Sequence, residues 1–162
     1  MMYAFEISAA EMKNFMNKLL REAAFDEFEI REAEVQTFAR FEISCKPLGW
    51  AELKPYIFGV IKGRPRPKYM KFVFSAPPAL VERLNPKAAA FFLNLVFDGE
   101  KTTGVTAASE KNFTMDKSID GAWTEYVRAF FSRHGIRITD VSVMDDDDNE
   151  GEDDDEYIEE DE

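Results

Sequence analysis

Apolar side chains recur at every second position in Tyr3, Phe5 and Ile7, which predicts a short strand. The period then changes. Met12, Phe15, Met16, Leu19 and Leu20 fall at i, i+3, i+4, i+7 and i+8, the stripe of an amphipathic helix of about four turns. Ser8 and Glu11 stand where a capping box would start that helix. In "FDEFEIREAEVQTFARFEISC" two strands are expected, with "TFAR" as their connection. Phe28 and Ile30 share one parity and Val35 the other, so a bulge belongs near Arg31–Ala33. Phe41, Ile43 and Cys45 form the next alternating set.

"KPLGW" reads as loop. "LKPYIFGVIKG" and "KYMKFVF" read as two strands flanking "RPRP". Proline has no backbone donor, so Pro65 and Pro67 are expected at a hairpin tip. "PALVERL" predicts a short helix entered through Pro78. "AFFLNLVFDGEKTTGVTAAS" predicts a hairpin turning at Asp98-Gly99, and "KNFTM" extends the sheet. Ser118 is expected to cap a second principal helix, with Trp123, Tyr126, Val127, Phe130 and Phe131 on one face and Gly135 as its stop. Ile136, Ile138 and Val141 suggest a last strand. The order β-α-β-β-β-β-α-β-β-α-β implies an α+β fold. A largely antiparallel sheet would carry two principal helices on one face.

Charge changes this picture at the C-terminus. The chain of 162 residues has a formal net charge of -12, yet residues 145–162 hold 14 acids and no base. Residues 1–144 keep 18 acids against 20 bases, close to neutral. Two units follow: an α+β domain over 1–144 and an acidic tail over 145–162. With only Tyr157 and Ile158 apolar, the tail is expected to be disordered. One cysteine excludes an internal disulfide framework, and no window approaches a membrane-spanning length. The N-terminus lacks the layout of a signal peptide. A soluble cytoplasmic protein is the expectation; nothing in the chain sets its oligomeric state.

Candidate chemistry is sparse. Lys62, Arg64, Arg66, Lys68 and Lys71 place five cations in ten residues with no acid between, and Tyr69 and Phe72 are interleaved. On a β-ribbon such a set could meet phosphates while an aromatic stacks a base. A protein or other polyanion would suit it as well. As a plain alternative, the charges keep exposed strand ends from pairing edge to edge. The tail would then be a solubiliser or a mimic of phosphate that competes for the basic face. Some single-stranded-DNA-binding proteins use an acidic tail this way, although no five-stranded OB pattern is present here.

Glu32 shares the parity of Phe28 and Ile30. Without a bulge its carboxylate would be buried, with a raised pKa and a possible catalytic use. With the bulge it turns outward among Glu27, Glu29 and Glu34. Asp26, Glu52 and Lys54 have the spacing of a metal-dependent nuclease core, but Pro55 argues against a central strand there. Asp146 to Glu152 approach EF-hand spacing, yet Tyr157 stands where the bidentate Glu is needed. Asp116 and Lys117 precede a helix start and read as capping. His134 sits where a cation would favour a helix C-terminus. No metal or cofactor is expected, and no catalytic residue is assigned.

The segments "FDEFEIREAEVQTF", "IKGRPRP" and "FTMDKSIDGAW" carry a resemblance. The chain resembles an uncharacterised family of small cytoplasmic proteins from Clostridia and related Firmicutes. That pattern has an opening strand, the helix "KNFMNKLL", an FD-x-F element with Glu at Glu32, I-K-G before a hairpin, and L-D-K-S before a Trp-bearing helix. Here the last element is "MDKSIDGAW". The likeness spans about residues 3–140. It implies a bacterial protein without an assigned activity or site residues. The expected function is therefore a non-enzymatic binding or interaction protein, with single-stranded nucleic-acid binding and an enzyme using Glu32 as alternatives.

Overall fold

A computed structural model of the chain describes residues 3–62, 66–112 and 118–141. Its elements are β1 Ala4–Ile7, α1 Met12–Leu20, β2 Glu29–Gln36, β3 Arg40–Gly49, α2 Trp50–Ile61, β4 Tyr69–Ser75, α3 Pro78–Leu84, β5 Ala88–Phe97, β6 Thr102–Glu110, α4 Ser118–Arg133 and β7 Thr139–Asp140. The strands form one sheet in the order β3-β2-β4-β5-β6-β1-β7, with every neighbouring pair antiparallel. The α+β expectation holds. The acidic tail and "FTM" lie outside the described residues. No described helix is long and apolar enough to cross a membrane.

Core and open faces follow the alternation. Phe5, Ile7, Ile30, Ala33, Val35, Met70, Phe72, Phe74, Phe91, Leu93 and Leu95 are buried. Phe15 and Leu19 of α1, Trp50 and Ile57 of α2, and Trp123, Val127, Phe130 and Phe131 of α4 join them in one core. Phe25, in a 3-10 turn after α1, sits at the centre: its ring centroid lies within 6.3 Å of five others, those of Phe15, Phe28, Phe74, Phe130 and Phe131. The opposite face of the sheet carries Tyr69, Lys71, Val73, Phe92 and Val96, all partly exposed.

Local signals explain several elements. Asp98 accepts the N–H groups of Glu100 and Lys101 at 2.9 and 3.1 Å, and Gly99 takes φ 104°, closing the β5–β6 turn. Those backbone donors, Lys101 first, hold the Asp98 carboxyl below its ordinary pKa. Gly135 takes φ 70° and lets Ile136 N–H reach back to Phe131 O at 2.9 Å, which ends α4.

Three expectations need correction. First, "LKPYIFGVIKG" is not a strand. It lies mostly in α2, and Trp50, Leu53 and Ile57 point to the core at helical spacing. Gly59, Val60 and Tyr56 blur that period, because nearly every side chain is apolar. Pro55 is tolerated since both it and Ala51, whose carbonyl it leaves unbonded, are exposed. Among the described residues the principal helices therefore number three, α1, α2 and α4, and α3 is a fourth, shorter one. Second, "KPLG" continues β3 up to Trp50, which opens α2. Third, Ser8 makes no side-chain cap; a 3-10 turn over Ala9–Glu11 precedes α1. The Glu11 carboxylate instead accepts from Asn14 at 3.3 Å and from the Arg137 N–H at 3.2 Å.

Candidate binding surface

The basic stretch joins a helix to a strand. Lys62 follows α2, and Tyr69 opens β4. Arg64 lies outside the described residues. Lys62, Arg66 and Lys68 are exposed. The Lys62 ammonium lies 5.5 Å from the Phe58 ring centre. Tyr69 and Lys71 belong to another surface, the open sheet face, where they pair with Gln36 and Glu34 of β2. Phe72 alternates with them and is buried beneath Trp50, with centroids 5.7 Å apart. The cations thus divide between two surfaces and make no continuous ribbon.

The bulge decides Glu32. The β2 register shifts between Ile30 and Glu32. Ile30 and Ala33 both face the core, and Glu32 turns to the open face with its side chain 51% exposed. Its carboxylate lies 3.9 Å from Lys71 Nζ. A buried carboxylate at this position is therefore ruled out. Glu32, Glu34, Glu42 and Lys71 line a small recess of about 110 Å³ in which acids outnumber bases.

On the helix side, the end of the basic connection borders an apolar groove of about 440 Å³. Met12 and Met16 of α1 form one wall. Ile61 of α2 with Pro67 forms the other, and Met70 and Phe97 form the floor. The sheet register explains the convergence: Met70 pairs with Phe97, Phe97 with Thr102, and Thr102 with Ile7, the last residue of β1, with four residues between it and α1. Thr102 Oγ1 donates to Met12 Sδ at 3.3 Å and holds that wall. Lys13 and Arg66 stand exposed at the rim, and Lys62 and Lys68 are chain neighbours of lining residues. Among the described residues none of these four cations has an ion-pair partner. Methionine is flexible and polarisable, so this lining can adapt to a guest.

A wider cleft of about 680 Å³ runs between α4 and β7, and three of its polar side chains, Tyr3, Arg128 and Asp140, are engaged with each other. Tyr3 O–H donates to Asp140 at 2.5 Å, and Arg128 lies over the Tyr3 ring and 3.6 Å from Asp140. Burial first, then the bond to Asp140, raises the Tyr3 pKa, so it stays a phenol. Asp26 and Lys54 do meet, at 2.7 Å, but Lys54 also donates to Glu22 O and Glu52 is exposed elsewhere on α2. That is an ion pair clamping α2 to the turn after α1. No group of three metal-ligating side chains occurs among the described residues. Cys45 is a free, half-buried thiol on β3.

His134 departs from expectation. Its Nε2 is buried without a partner among the described residues, and its ring lies 4.6 Å from that of Phe130. Burial first, then Arg133 and Lys18, lowers its pKa below the ordinary 6.5, outweighing Glu27 and Glu22. The fold therefore holds a neutral imidazole. A folded pKa below the unfolded value gives stability present above pH 6.5 and lost as pH falls through the folded value. From pH 7.5 to 5.5 the wild type should lose more urea resistance than His134→Gln; equal losses would remove the imidazole as the cause.

The groove is hard to find from sequence. Met12 and Met16 belong to the apolar stripe of α1 and read as core, and their half exposure depends on where α2 ends. With α2 taken for a strand, Ile61 and Pro67 could not be brought beside them.

The model of a family of unknown function (DUF5721) matches residues 46–139, more than half of the chain. No curated protein and no solved structure matches.

Proposed function

The chain belongs to this family of unknown function, and we propose that it is a non-enzymatic binding protein. Its groove would receive an acidic segment that carries an apolar anchor. The observation that carries this reading is the Met12–Met16–Met70–Phe97 groove with Lys13 and Arg66 at its rim, neither in an ion pair among the described residues. An apolar floor takes the anchor. The cations around it favour an acidic chain and speed its encounter. With one cysteine and no described helix of membrane length, a reducing compartment such as a bacterial cytoplasm suits the protein.

Single-stranded nucleic acid is less well served. Tyr69 and Lys71, the stacking and phosphate partners of that reading, sit on the open face beside Glu32 and Glu34.

A random peptide library displayed on phage and panned against residues 1–144 tests the proposal. The core residues among the described ones lie between Tyr3 and Ile136, and residues 1–144 keep all of them. Enrichment of Asp and Glu around an aromatic or aliphatic residue is expected. Affinity for such a peptide should fall at least tenfold in Met16→Asp and in Arg66→Glu. Selection of basic peptides, or indifference to both substitutions, would overturn the reading. Tight binding of a labelled thymidine 12-mer that Tyr69→Ala weakens would replace it with the nucleic-acid reading.

A further inference from the structure

Within that reading of the groove, we infer that its resident occupant is the chain's own tail, with Tyr157 and Ile158 seated as the apolar anchor. The tail holds 14 acids, no base, and one adjacent apolar pair. This is the composition the groove calls for. Acids on both sides of the pair, Glu156 and Glu159, would run past Lys13 and Arg66.

Geometry supports a contact within one molecule. The described chain ends at Val141, whose N–H bonds Ala4 O at 3.0 Å. The groove lies at the far end of the sheet, where Ile7 pairs with Thr102 and Met70 with Phe97. From β7 to β4 the sheet crosses four strand spacings, roughly 19 Å, and from Ala4 to Ile7 it runs roughly 10 Å. Tyr157 lies 16 residues beyond Val141. A flexible chain of that length has a root-mean-square reach of about 22 Å and a limit of about 53 Å. Span and mean reach match, the condition under which a tethered segment has its highest effective concentration, on the order of 1 mM. A dissociation constant of about 0.1 mM for the free segment would then keep the groove about nine-tenths occupied. An outside peptide would bind about tenfold more weakly to the full chain than to residues 1–144. The tail would act as a built-in competitor, released by a better ligand or by salt.

Full-length protein labelled at the methionine methyl groups tests this by NMR. The Met12 and Met16 signals should differ between the full chain and residues 1–144. In Tyr157→Ser/Ile158→Ser they should move to the truncated positions, at every protein concentration. Coinciding spectra of full and truncated chains would overturn the inference, as would a double variant that keeps the full-chain positions. Shifts that grow with protein concentration would assign the groove to a second copy's tail and overturn the intramolecular contact. Adding a library-selected peptide to residues 1–144 keeps the two proposals apart. If it moves the Met12 and Met16 signals while tail removal did not, the groove reading stands and the tail contact falls. If neither moves them, both fall.

Discussion

Gly104→Ala is expected to destabilise the fold by about 3 kcal/mol, lowering the melting temperature by roughly 10 °C. Phe5 of β1 pairs with Gly104 of β6, and its ring lies flat across the glycine. A Cβ there would stand 2.2 Å from Cζ and 2.5 and 2.6 Å from the two Cε atoms. The ring has nowhere to move. Phe5 is fully buried, with Tyr3 stacked on it at 5.5 Å and the edge of Phe131 at 5.1 Å. Gly104 has no left-handed φ, so alanine costs nothing in backbone strain, and a double-mutant cycle isolates the clash. If the clash is the cause, Phe5→Leu made in the Gly104→Ala background should cost far less than Phe5→Leu alone, because the smaller side chain vacates the space. Full additivity would show that the close approach is not what destabilises.

Gly104 also shows where sequence reading stops. "TTGVT" reads correctly as part of a strand after Asp98-Gly99, because turn chemistry and alternation are local. That Phe5 covers the glycine depends on β1 joining the sheet beside β6, about 100 residues away, and no short-range pattern carries it. The same division runs through the chain. The bulge in β2 was legible because a parity slip between Ile30 and Val35 can arise in few other ways. The stop of α4 at Gly135 was legible because a left-handed position favours glycine. The start of α1 was not, since Glu11 is claimed by Arg137 from the far end of the chain. The cations of 62–71 were visible as a cluster but not as two surfaces. Their division follows from α2 being a helix, and its apolar run satisfies a strand period and a helical one alike.

Trp50→Ala should be the most damaging single substitution considered, at about 4 kcal/mol, and Trp50→Phe about half of that. The indole is fully buried against Phe72 and Phe74, at 5.7 and 5.2 Å, and its N–H donates to Leu19 O at 2.9 Å. Alanine leaves a cavity and an unpaired carbonyl; phenylalanine fills most of the volume but still leaves Leu19 O without its donor. Urea midpoints of both variants separate the packing part from the hydrogen-bond part. A phenylalanine variant as stable as wild type would mean that Leu19 O finds water instead. The consequence reaches the groove. Trp50 ties the first turn of α2 to the last turn of α1, and Ile61, roughly 16 Å further along α2, faces Met12 and Met16. The two walls thus stand on helices whose other ends this bond, with the Lys54 contacts to Glu22 O and Asp26, holds together. Trp50→Phe, still folded, should therefore weaken binding of a selected acidic peptide as well as stability. By contrast, Trp123→Phe, which removes the other indole from α4 outside the groove, should lower stability while leaving that affinity unchanged.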